Sequence, residues 1–164
     1  MESNNQLFRL SSEEYGEAYQ HDYLAMYQHY IDSADKISDR RHQANSLFLS
    51  INTILLAVSS DSLAGTHAPY LWVSALAGIL FCYSWRLLIR QYRSLNTAKF
   101  QVVHEMEKRL PMAPYDAEWQ MLGEGKDPKI HLPLSKVESM VPVIFICLHC
   151  LVLIISTSQA VTNL

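Results

Sequence analysis

Three long stretches of this chain carry almost no charge, and that distribution limits its possible folds more than any other feature. Between Gln43 and Ser60 there is no Asp, Glu, Lys, Arg or His, and between Ala68 and Trp85 there is again none. From Ser139 to Leu164 the titratable side chains are His149 and two cysteines. A spanning helix needs about 20 mainly apolar residues, roughly 17–25. Soluble core helices keep a polar stripe, whereas Val141–Ser156 is apolar on every face. The average hydropathy is near neutral only because charged segments offset these three.

Orientation follows from the basic residues. Positive charge beside spanning helices stays cytoplasmic. Lys36, Arg40 and Arg41 precede the first stretch, Arg86, Arg90, Arg93 and Lys99 follow the second, and Lys126, Lys129 and Lys136 precede the third. All thirteen lysines and arginines fit one topology, with the N-terminus inside and the C-terminus outside. The expected parts are a cytoplasmic N-terminal helix (1–42), spans at 43–60, 68–88 and 139–158, an external loop (61–67), a cytoplasmic helix with a Pro/Gly-rich loop (89–138), and an external tail (159–164). Met1–Leu10 is polar, so no signal peptide is expected. The fold class is an all-α membrane protein with three transmembrane helices, the first two forming a long antiparallel hairpin that extends into a cytoplasmic helical collar.

Ser11–Asn45 reads as one helix, started by Ser11 or Ser12 with Glu13 and Glu14. Tyr15, Tyr19, Tyr23, Tyr27 and Tyr30 then fall on one face. They pack either on another cytoplasmic helix or on a neighbouring subunit, where tyrosine is enriched. No proline or glycine interrupts Leu80–Leu110, and Pro111 and Pro114 end that helix. A short helix is expected at Asp116–Leu122, and Ser135 with Glu138 forms a possible capping box for the third span.

Several constellations could carry function. Arg86, Arg90 and Arg93 share a helix face. They can reach head groups, pair with Asp35 and Asp39 on the facing helix, or ring an inner pore mouth together with Arg40 and Arg41. In the first span, Asn45, Ser46, Ser50, Asn52 and Thr53 occupy one half of the helix. Two amides in hydrocarbon need partners or water, so this half either bonds to other helices or lines a pore. Ser74, Ala75, Ala77 and Gly78 allow close helix approach. Cys147, His149 and Cys150 do not share a face and suggest no metal site. His104, Glu105, Glu107 and Lys108 read as a solvated face. The net charge of −3 argues against nucleic-acid binding. No catalytic motif is recognisable, so neither enzyme activity nor a cofactor is expected.

Certain strings carry a family likeness: Lys36–Arg41 running into Ala44–Thr53, Tyr92–Phe100, Pro114–Trp119 and Gly125–Pro128. They resemble the small octameric bacterial inner-membrane proteins of the RipA type and, distantly, the membrane accessory protein of type VI-B CRISPR systems. The resemblance implies a homo-octamer in the bacterial inner membrane, a pore, and a role in stress or phage defence. The alternative is a sealed scaffold whose loop around Trp119 recruits a cytoplasmic protein. The partners expected are further copies of the chain and membrane lipid.

Overall fold

The computed structural model describes residues 7–64, 71–126 and 134–162. Among them every regular element is helical: α1 (Ser12–Tyr15), α2 (Tyr19–Ala64), α3 (Leu71–Glu107), α4 (Pro114–Met121), α5 (Leu134–Glu138) and α6 (Met140–Thr162). A 3-10 turn at Gly123–Gly125 follows α4.

The expected N-terminal helix is broken after one turn. Ser11 starts α1 with a full capping box: Glu14 N–H donates to Ser11 Oγ, and Ser11 N–H donates to the Glu14 carboxylate. Those contacts hold the Glu14 carboxyl below its usual range, the Ser11 amide contributing most. Gly16 then adopts φ +90°, a conformation that favours glycine. The chain turns there, so Tyr15 is cut off from the helix that carries the other four tyrosines.

From Tyr19 to Ala64 nothing interrupts α2. It lies antiparallel to α3. Tyr23 meets Met106 at one end, Ser33 meets Lys99, Asn45 meets Trp85, and Ser59 meets Ser74 at the other end. α6 packs on α3 beside this pair, with Phe145 against Trp85. Pro142 is fully buried in its first turns, where a missing amide costs least. Two segments, Leu71–Glu107 and Lys136–Gln159, are long and apolar enough to cross a membrane. The third expected span, 43–60, does not reach that standard. Its polar residues dilute it, and three of them (Asn45, Asn52 and Ser59) bond to other helices.

Residues 65–70, residues 127–133 and the Ser135 side chain lie outside the described residues, and with them the expected Ser135 cap. Glu138 instead sits 3.7 Å from Arg41 Nε, joining α5 to α2.

Candidate functional site

Beside the apolar part of α3, three helices each bring one polar side chain to a single point. Asn52 of α2, Cys82 of α3 and His149 of α6 are fully buried. The Asn52 amide oxygen accepts from Cys82 Sγ at 3.0 Å and lies 3.1 Å from His149 Nε2. An amide oxygen only accepts, so this contact requires the proton on Nε2. The Asn52 amide nitrogen donates to Phe48 O at 2.8 Å. His149 Nδ1 is buried with no hydrogen-bond partner among the described residues. The ring fits only because residue 78 has no side chain: a Cβ there would lie 2.2 Å from it.

A second buried polar centre stands at the far end of α3, beside α4. Glu107 is 1 % exposed. Tyr27 donates its hydroxyl to Oε1 at 2.9 Å. The amides of Tyr115 and Asp116, in the first turn of α4, donate at 3.1 and 2.9 Å. A helix N-terminus carries unsatisfied amides and partial positive charge, so Glu107 caps α4 from another helix. Burial, then the Glu107 contact, pushes the Tyr27 phenol well above its ordinary value. Glu107 is therefore no part of a solvated face, as its neighbours had suggested. His104 also turns to α4, 3.6 Å from Asp116.

The tyrosine face packs on the end of α3, which carries Glu107. Tyr23 is buried and donates to Met106 O at 2.5 Å. Tyr19 stacks on Tyr23 and accepts from Arg109 at 3.3 Å. Tyr30 lies under the Lys99 ammonium. Tyr15 is exposed and donates to Asp22. Phe8 stacks over Tyr23, and the Arg109 guanidinium lies against the Phe8 ring.

The five residues read as one polar wall differ in their burial. Asn52 is sealed in the protomer, and the half-buried Asn45 accepts from Trp85 Nε1 at 2.8 Å. Ser46, Ser50 and Thr53 are exposed on the opposite side of α2. Ser50 and Thr53 donate to carbonyls of their own helix, Ser46 O and Leu49 O. Their hydroxyls therefore require no water. Arg90 and Arg93 are exposed and Arg86 is half-buried. Among the described residues none of them pairs with Asp35 or Asp39. Arg41 pairs with Glu138, while Arg40 is exposed.

His149 and Glu107 are the residues that spacing alone did not select. For Glu107 a signal existed: Pro111 and Pro114 close a turn whose following helix start needs an acceptor nearby. For His149 the signal was its position within a segment without other charge.

A family model, the octameric membrane protein family, matches residues 24–158. No curated protein and no solved structure matches the chain. With most of its length matched, the chain belongs to the octameric membrane protein family.

Proposed function

We propose that this family member forms a ring of eight copies around a membrane pore. The observation that carries the reading is the octamer in the family's description, together with the shape of the protomer. Helices pack at interaxial distances of about 8–10 Å. Eight in a ring then stand about 10–13 Å from the axis. Subtracting a helix radius of about 5–6 Å leaves an opening about 10–15 Å across. Three-helix protomers cannot fill that space themselves, so it holds water or lipid. The α2 segment 43–60 serves as the third span, the basic residues face the cytoplasm, and the protein carries no chemistry of its own. The likeness to RipA-type and CRISPR-associated relatives favours the bacterial inner membrane and a part in stress or defence.

Purified protein in liposomes tests this reading. Ion flux proportional to octamer content is expected, and impermeable octamers overturn the pore.

One observation favours a scaffold as the second reading. Glu107 holds α4 in place, and Met112 and Met121 beside it are 76 % and 82 % exposed, a fixed apolar platform remote from the membrane. In that case the centre is plugged and E107A abolishes partner capture without changing the octamer.

A further inference from the structure

The outer face of α2 bears a stripe that its own protomer leaves uncovered. Asp32, Asp35 and Asp39 recur three and four residues apart and are exposed. Ser46, Ser50, Thr53, Ala57 and Ser60 continue the stripe alongside the apolar part of α3, and they are exposed too. A side of α3 is its chemical opposite. There Arg90, Arg93, Ser94, Thr97 and Gln101 line a shallow open groove. α3 has no Asp or Glu before Glu105, so the groove is rich in hydrogen-bond donors and without a carboxylate. Farther along, the same side exposes the large side chains Tyr83, Leu76 and Trp72.

We infer that these two faces are the two halves of the contact between neighbouring copies, α2 of one packing against α3 of the next. This rests on the octameric ring proposed above. The argument turns on height. Rotation about the membrane normal moves a residue sideways and never along that normal, so a residue in a cyclic ring meets its neighbour's residues at its own level. The antiparallel register of α2 on α3, fixed by Tyr23 with Met106, Ser33 with Lys99 and Asn45 with Trp85, sets those levels. Within a turn, Asp39 is level with Arg93, Asp35 with Thr97, and Asp32 with Gln101. Higher up, Tyr83 is level with Ser46 and Ser50, Leu76 with Thr53 and Ala57, and Trp72 with Ser60.

Aspartates meet hydrogen-bond donors in the cytoplasmic half, Asp39 opposite the charge of Arg93, and large meets small in the other. Small residues let helices approach closely. The hydroxyls of Ser50 and Thr53 are already bonded to their own helix, so an apolar side chain can cover them without orphaning a donor. The contact is heterologous: one copy's α2 face meets a different face of the next, and rotation closes the ring.

The test uses full-length protein in detergent, sized by mass photometry. D39R and R93D each lower the octamer fraction about tenfold, and D39R/R93D together restore it, because the swapped charges again oppose each other. Crosslinking provides a readout that survives poor folding of either reversal. In a C147S/C150S background, D39C alone and R93C alone give no linked dimer, whereas the two co-expressed do. Intact octamers in both single reversals, or no mixed crosslink, overturn the inference and leave the arginines to lipid head groups. A wild-type protein that is not octameric overturns the ring itself.

Discussion

Two of the buried polar centres among the described residues solve the same problem by opposite means. At the Asn52 junction one neutral oxygen is shared by donors from two other helices. At the Glu107 centre a carboxylate spreads its acceptors over two backbone amides and a phenol. Hydrocarbon penalises charge severely, so the junction beside the apolar helices uses an amide, a thiol and an imidazole. At the α4 end a carboxylate is tolerable because a helix N-terminus supplies compensating charge. The first centre fixes how three long helices sit together. The second fixes where one short helix docks.

Loss of the carboxylate should be the more damaging. E107A leaves two amides and a hydroxyl without their acceptor and should cost about 3 kcal/mol or more. Melting in detergent measures the loss, and proteolysis near Trp119 should quicken as α4 detaches. An E107A protein with wild-type melting and protease resistance would place α4 under some other control.

The membrane-level junction should prove sensitive to shape first. G78A drives a methyl into the His149 ring and should cost about 2–3 kcal/mol. Combining it with H149S should recover part of that loss, since the smaller side chain clears the space. Additive losses in the double variant would show that Gly78 matters for another reason.

Hydrogen bonding at the junction should count for less than its shape. N52L removes the shared oxygen and should cost about 1–2 kcal/mol. A loss matching that of E107A would erase the contrast between the two centres.

The smallest effect expected is a dependence on pH. Tyr27 has its phenol pKa raised above the ordinary 10.0 in the folded protein. Its contribution is therefore complete below that value and falls as pH rises beyond it, because the unfolded chain releases the proton first. Chemical unfolding between pH 9 and 11 should show this decline (range about one unit either side of the ordinary value), and Y27F should flatten it. A decline of equal slope in Y27F would assign it to other groups.

Much of this architecture was legible from spacing. Charge-free stretches mark α3 and α6, and four of the five tyrosines do share a packed face. Gly16 was visible too, but its left-handed turn depends on local geometry that composition does not reveal. Asn45 and Asn52 announce a need for partners, yet the identity of those partners is a tertiary fact. Whether a polar residue at a given angle faces its own bundle or a lumen depends on where α3 and α6 lie. Glu107 was hardest to read, because its burial exists only once α4 has folded back upon it.

An uninterrupted α2 has a mechanical consequence. Its 46 residues, at about 1.5 Å each, make a shaft of about 69 Å without proline or internal glycine. Such a shaft has no hinge at which to dissipate a twist. Torque applied at its tyrosine end, where Tyr23 and Tyr27 grip α3, is therefore borne by the contacts α2 makes along its length, Ser33 with Lys99, Asn45 with Trp85 and Asn52 with His149.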